Sequence, residues 1–403
     1  MKILLYGINF SPELTGIGKY SGEMADWLSS RGNSIKVITA PPYYPEWKIH
    51  QNYKNFFHKE SKENIEVLRC PLYVPSKPNT IRRLVHLITF SLSSFLPVLF
   101  SVFWKPDIII QPVPTLFCSI QTIILSKICK SKSIIHIQDF EVDAMFSISS
   151  TKVKFLKDFA FWAESKILKN FDYVSTISNG MIEKAKNKGV PENKIIFLPN
   201  WTNIDHFKDV QKDEGVLNKL GIDANKKIVL YSGNMGEKQG LEVVIHVAKQ
   251  MEANENIQFV LIGEGAAKEN LKILKNSINA ENVKFLPLQP YKILPKILAS
   301  CDCHLVIQKS AASDLVLPSK LVNILAVGGN SVITELRDTS LGKIFTENEN
   351  LGVLVEPESI NDLKTGILKA ISMDKPNHHA QRYAKNNLDK EVILRNFLRA
   401  IEK

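Results

Sequence analysis

Short runs of apolar, mostly β-branched residues recur along the chain, with helical patterns between them. A first series occupies residues 3–6, 35–38, 65–68, 108–110, 134–137, 173–177 and 195–198. A second occupies 228–231, 258–262, 283–285, 303–307, 331–334 and 352–355. Most of these runs are short and continuously apolar, which predicts strands covered on both faces. Patterns with a period near 3.6 at 17–30, 241–253 and 266–277 predict helices among them. Such alternation builds parallel, doubly wound sheets. The two series flank residues 199–227, a polar stretch with few apolar positions, which reads as a linker. The expected fold is therefore α/β, with two Rossmann-like domains (1–200 and 201–382) whose parallel sheets face a central cleft. Ligands bind such sheets at the C-terminal ends of the strands.

One segment breaks the alternation. Residues 84–104 carry no formal charge over 21 positions, with Arg82 and Arg83 before them and Lys105 after. Length alone would permit a spanning helix. Against that, His86, Thr89, Ser93, Pro97 and Ser101 recur at spacings of three and four and make a polar stripe. Ser91 and Ser94 dilute the remainder, and Pro106-Asp107 leads straight into a strand. The segment near 82–105 reads as a helix in a membrane interface. A buried core helix and a span remain as alternatives. The apolar run at 2–6 is too short for a signal peptide.

Composition narrows the class. The chain has 403 residues, 44% hydrophobic and 23% charged, which fits a folded core and excludes disorder, collagen and a multi-span membrane protein. The net charge of +10 is unevenly placed. Residues 1–200 hold 25 Lys+Arg against 16 Asp+Glu, and residues 201–403 hold 26 against 25. The basic character belongs to the first half and predicts an anionic partner there. No base-stacking or groove-reading motif accompanies it, so nucleic acid is not expected. The five cysteines (Cys70, Cys118, Cys129, Cys301, Cys303) form no spaced framework. Cys301-Asp302-Cys303 lacks a second pair, so free buried thiols are expected and zinc is not. Phe155, Phe159, Phe161 and Trp162 lie among lysines; most of these aromatics read as core, with the lysines free to face anionic lipid.

Candidate chemistry gathers where strands end. The run Asn9 to Tyr20 follows the first strand and opens a helix, with Gly16 and Gly18 letting backbone approach an anion. It is not G-x-G-x-x-G, and a plain turn would look the same. In the second half, Gly233-Asn234-Met235-Gly236-Glu237-Lys238-Gln239-Gly240 and Gly263-Glu264-Gly265 each follow a strand, and together they suit a diphosphate. The most informative run is Leu317-Pro318-Ser319-Lys320-Leu321-Val322-Asn323, ended by Gly328-Gly329. Pro318 suits a first helical turn. Ser319 and Lys320 then combine free N–H groups, a hydroxyl and a charge, and Asn323 follows one turn on. The competing reading is a capped core helix with a solvated lysine. For proton transfer, Asp139, Glu141 and Asp143 follow the strand that holds His136, which itself reads as a core histidine. Asp139 would orient or deprotonate an acceptor hydroxyl, or merely cap a loop.

Together these residues resemble glycosyltransferase family 4, with the GT-B fold. Ile8-Asn9-Phe10-Ser11-Pro12-Glu13, Thr39-Ala40-Pro41-Pro42-Tyr43-Tyr44-Pro45, Gly233-Asn234-Met235-Gly236 and Leu317-Pro318-Ser319-Lys320 carry the resemblance, and it is close in detail to bacterial exopolysaccharide transferases of the colanic-acid type. The resemblance implies metal-independent, retaining transfer of a sugar from a nucleotide diphosphate sugar, UDP- or GDP-linked, to a polyprenyl-diphosphate-linked saccharide. No cofactor is implied, since the nucleotide sugar is a substrate. It also implies a peripheral position at the inner face of the cytoplasmic membrane, while oligomeric state stays open. The implied donor residues are Gly16, Gly18, Gly233, Asn234, Lys238, Gln239, Gly263, Gly265, Ser319, Lys320, Leu321 and Asn323. Thr15, Lys19, Asp139 and Glu141 would serve the acceptor, with Asp139 and Lys320 catalytic. Residues 383–403 are expected to form a helix packing back on the first domain.

The sequence also departs from the family pattern. Asn234 and Gln239 stand where many members have Arg and Lys, with Lys238 one place off. Asn323 and Leu315, beside Asp314, stand where two glutamates are usual. More of the diphosphate's charge would then fall on Lys320. A nucleotide-sugar 2-epimerase on the same fold and a non-catalytic membrane-bound assembly partner remain as alternative readings.

Overall fold

A computed structural model describes residues 1–13, 16–148, 154–310 and 319–402. The chain divides into two compact units: Met1–Pro199 with Leu394–Lys403, and Asn200–Ile393.

Among the described residues, the first unit is built on an eight-stranded sheet. Its strands are β1 (Lys2–Tyr6), β2 (Ser34–Thr39), β3 (His58–Lys62), β4 (Ile65–Arg69), β5 (Ile108–Pro112), β6 (Lys132–Ile137), β7 (Tyr173–Thr176) and β8 (Ile195–Phe197), ordered β3-β4-β2-β1-β5-β6-β7-β8. All pairs are parallel except β3 with β4. The second unit carries a six-stranded parallel sheet of β9 (Lys227–Ser232), β10 (Ile257–Ile262), β11 (Val283–Leu286), β12 (Cys303–Val306), β13 (Ser331–Thr334) and β14 (Val353–Val355), ordered β11-β10-β9-β12-β13-β14. The central strands are fully buried, as their unbroken apolar runs require: Ile3 to Tyr6 and Ile228 to Tyr231 are at most 2% exposed.

Four features depart from the sequence expectation. Strand β3, His-Lys-Glu-Ser-Lys, carries no apolar residue and pairs at the sheet edge, where charge discourages further pairing. The stretch read as a linker folds onto the second unit instead. It forms the short helices Ile204–Phe207 and Glu214–Lys219 and spends its few apolar residues, Phe207, Leu217 and Ile222, in that unit's core. The C-terminal segment expected to join the first domain from Tyr383 onward divides. Tyr383 packs against the second unit's core, and Leu394–Lys403 belong to the first unit, where Lys132 Nζ donates to the Ile401 carbonyl at 2.8 Å. Finally, Phe155, Phe159 and Trp162 are exposed rather than core.

Five helices of the first unit matter here: α1 (Gly16–Ser30), α2 (Thr80–Phe100), α3 (Ser119–Cys129), α4 (Glu141–Ile148) and α5 (Lys154–Lys169). Helix α2 is long and apolar enough to cross a membrane by length and composition. His86 and Ser101 of the polar stripe, and Ser94 beside it, are buried against the protein. His86 Nδ1 lies 2.6 Å from the Tyr73 carbonyl, Thr89 Oγ1 accepts from Tyr73 N–H at 3.0 Å, and Ser94 Oγ lies 2.6 Å from Tyr6 Oη. Most of its apolar residues point outward, Ile81 and Leu92 being 73% and 70% exposed.

Candidate active site

In the second unit, the loops after β9 and β10 are bonded to each other. Gly233 N–H donates to the Ile262 carbonyl, Met235 N–H to Glu264 O, and Ala267 N–H to Met235 O, all within 2.9 Å. A Cβ on Gly263 would strike the Gly233 carbonyl oxygen, and one on Gly265 would strike that of Met235. Both glycines are therefore demanded by close backbone packing between the loops, whatever a ligand adds. Lys268 Nζ fastens the second loop from below, donating to the Gly263 carbonyl at 3.0 Å and to Glu264 Oε1 at 2.7 Å.

Lys320 stands in the first turn of helix Ser319–Val327, where backbone N–H groups lack intrahelical partners and the helix end is electropositive. Its Nζ lies 3.9 Å from the centre of the Tyr231 ring, a cation–π contact at the end of β9. The Lys320 side chain passes Gly233, where an added Cβ would lie 3.6 Å from it. None of the described carboxylates pairs with this ammonium. Its side chain keeps some solvent exposure, yet protein atoms crowd the head, and burial pushes its pKa down to about 7. An anion placed here would restore the proton.

Behind Lys320 lies a cavity of about 40 Å³, lined by Ser232, His304, Lys320, Asn323 and aliphatic residues. It has room for about three waters and none for a nucleotide. His304 is fully buried there, neither ring nitrogen is hydrogen-bonded among the described residues, and burial pulls its pKa down to about 3.

The remaining donor candidates divide. Asn234 and Lys238 are exposed at the loop rim. Gln239 Oε1 accepts from Gly236 N–H at 3.0 Å, so that side chain closes its own turn. Asn323 Oδ1 accepts from the Thr202 hydroxyl at 2.8 Å. The Leu321 side chain is in the core, which leaves only its backbone to reach a ligand. The Ser319 side chain, Pro318, Leu315 and Asp314 lie outside the described residues, as does Thr15.

Gly16 and Gly18 belong to the first unit, in the first turn of α1. Gly16 has φ +60°, which suits glycine, and only Tyr44 would approach a Cβ there. The place a Cβ on Gly18 would take is filled by the Glu13 side chain. That carboxylate is buried. Glu13 Oε1 accepts from Tyr43 N–H at 3.1 Å and Tyr44 N–H at 3.0 Å, and Oε2 accepts from Asn9 Nδ2 at 2.9 Å. Burial raises its pKa against the pull of those donors. The Pro-Pro-Tyr-Tyr-Pro segment and the first loop are thus one hydrogen-bonded structure, and Gly18 serves it. Lys19 pairs with Glu23 at 3.8 Å.

Beyond the C-terminal end of β6, Asp143 meets a group that sequence reasoning missed. Lys188 Nζ donates to Asp143 Oδ2 at 2.6 Å and to the buried carboxylate of Glu164, and lies over the rings of Phe140 and Phe161. Glu141 Oε1 accepts from Leu116 N–H at 3.3 Å. Burial, with the Glu164 and Asp139 charges nearby, raises its pKa to about 8. Glu141 therefore holds its proton near neutral pH. Glu164 and Lys188 lie far from this strand in sequence, so nothing local could signal the cluster. His136 is buried against Ser175, 3.0 Å away.

Comparison with known proteins agrees with this geometry. A profile described as glycosyl transferases group 1 matches residues 213–387, and one described as glycosyl transferase 4-like domain matches residues 15–201. A protein of Escherichia coli K12 bearing the name colanic acid biosynthesis glycosyl transferase WcaI is 47% identical over 406 residues, covering the whole of both chains.

The chain belongs to this glycosyltransferase family.

The fold of the transferase is GT-B, since its solved neighbours are glycosyltransferases of that architecture. Sucrose-phosphate synthase from Thermosynechococcus elongatus superposes with a TM-score of 0.77 at 14% identity, over 100% of this chain and 98% of the other. Anabaena HepE, solved with UDP-glucose, gives 0.71 at 16% identity, over 100% and 99%.

Proposed function

We propose that this transferase moves a sugar, with retention at the anomeric carbon, from a nucleotide diphosphate sugar to a polyprenyl-diphosphate-linked saccharide during bacterial exopolysaccharide synthesis. It would work peripherally at the inner face of the cytoplasmic membrane. The second unit would bind the donor, and the first would bind the acceptor. The observation that carries this reading is Lys320, a cation unpaired among the described residues and held at a helix N-terminus beside a glycine loop. The name of the 47% identical relative supports the polysaccharide context, and nucleotide-bound HepE supports the donor class.

Chemically, the bond between the anomeric carbon and the diphosphate oxygen breaks as the acceptor hydroxyl attacks from the same face. The departing diphosphate gathers negative charge. First-turn N–H groups and the Lys320 ammonium stabilise that charge where it develops, so the reaction needs no metal. Asp139 takes the acceptor proton, directly or through one water. Glu141, which keeps its proton near neutral pH, would face the acceptor as a hydrogen-bond donor. Lys320→Ala is expected to lower turnover at least about tenfold while the thermal midpoint holds. A folded variant with normal turnover on a lipid-linked acceptor would remove Lys320 from the mechanism.

A further inference from the structure

Helices α2 and α3 are amphipathic in the reverse sense of a globular protein. In α3, Ser119, Thr122 and Ser126 are buried, while Ile120, Ile124 and Ile128 are exposed at spacings of four. Helix α2 repeats the inversion along its whole length, from Ile81 to Leu99. The inward polar groups of α3 are hydrogen-bonded. Gln111 Nε2 donates to Ser119 Oγ at 2.9 Å, and Thr122 Oγ1 donates to Gln111 Oε1 at 2.6 Å. The two helices are also stitched together, since Gln121 Nε2 donates to the Ser91 carbonyl at 2.7 Å and to Ser91 Oγ at 3.1 Å. Both press their inner faces on one core cluster, through Phe90 and Val98 of α2 and Leu125 of α3. Their outer faces therefore look the same way.

An aqueous surface gives no reason for two neighbouring helices to bury serines and threonines and display isoleucines. The charge around them is one-sided. From Val67 to Gln138 the chain has eight Lys or Arg and a single carboxylate, Asp107. Of these cations, Arg82 and Arg83 stand exposed at the start of α2, Lys105 just beyond it, and Lys127 and Lys130 at the end of α3.

We propose that α2 and α3 form one lipid-docking face that lies in the plane of an anionic phospholipid leaflet, its two apolar stripes in the acyl boundary and its cations among the headgroups. Helix α2 is held in that plane because its polar edge is bonded to Tyr6 and Tyr73 of the folded unit. The inference extends the membrane position in the proposed function to a second helix and to a defined orientation. It rests on burial and charge, independently of the donor chemistry.

The test uses the full-length chain and flotation with protein-free vesicles of phosphatidylcholine, with and without phosphatidylglycerol. Wild type is expected to float with the anionic vesicles, less with neutral ones, and less as salt rises. Leu92→Glu in α2 and the pair Ile120→Glu, Ile124→Glu in α3 are each expected to weaken flotation at least about tenfold. Their thermal midpoints and stabilisation by UDP or GDP should be unchanged. Flotation of the α3 variant like wild type would overturn the two-helix face. So would binding to native membranes without binding to protein-free vesicles. A stable dimer in lipid-free buffer that these variants split would assign the face to a second copy and overturn it also. If wild type floats but no nucleotide stabilises it, the docking stands and the donor reading fails alone.

Discussion

Lys320 and Glu141 are each held near neutral pH by burial, with opposite consequences. A bound diphosphate would raise Lys320 from about 7 toward its ordinary value, so binding takes up a proton above that pH. Nucleotide diphosphate affinity is expected to fall as pH rises above 7, by up to about tenfold per unit, where phosphate itself no longer titrates. Calorimetry across that range checks the slope, and Lys320→Met should flatten it. For Glu141 the folded value of about 8 exceeds the unfolded carboxylate value, so the folded state holds more protons between them. Stability attributable to this group is full below an unfolded pKa of about 4.3 and is lost as pH rises through the folded one. Glu141→Gln should therefore melt higher than wild type above pH 8 and no higher in acid. Equal melting at alkaline pH would mean the carboxyl ionises freely. At this scale the sequence was legible for Lys320, whose neighbours announce a helix start. It was silent on Lys188 and Glu164, whose partners are distant in the chain.

Among the elements, the glycine loops show how a correct motif can have a second cause. Gly263 and Gly265 were expected to admit a ligand, and they are needed to admit the loop after β9. Gly263→Ala should destabilise the second unit by about 1–3 kcal/mol even without nucleotide, because backbone has to shift. Urea unfolding of the ligand-free chain measures this, and an unchanged midpoint would show that the loops can separate freely. The central strands were readable because burial on both faces leaves almost no polar position to confuse the pattern. Strand β3 was not, since an edge strand of five polar residues has no hydrophobic signature at all. The orientation of α2 was unreadable for another reason: a stripe fixes two faces and does not say which one meets the protein.

For the molecule as a whole, the chain's end is tied to its beginning. Phe397 and Ile401 are buried, and their segment is counted with the first unit. Deleting residues 394–403 is expected to destabilise the first unit by several kcal/mol, at about 1.5–3 kcal/mol per buried side chain. Limited proteolysis should then cut Met1–Pro199 before Asn200–Ile393, and the reverse order would contradict the assignment. The charge asymmetry is also a property of this scale: nearly all the excess lies in the half that carries α2 and α3.

The outward stripes of those helices change the kinetics to be expected. An enzyme held on a leaflet meets a lipid-linked acceptor by diffusion in two dimensions, so the relevant concentration is the acceptor's mole fraction in the surface. Adding inert lipid at constant acceptor should slow the transferase, although neither reactant has been diluted in the volume of the tube.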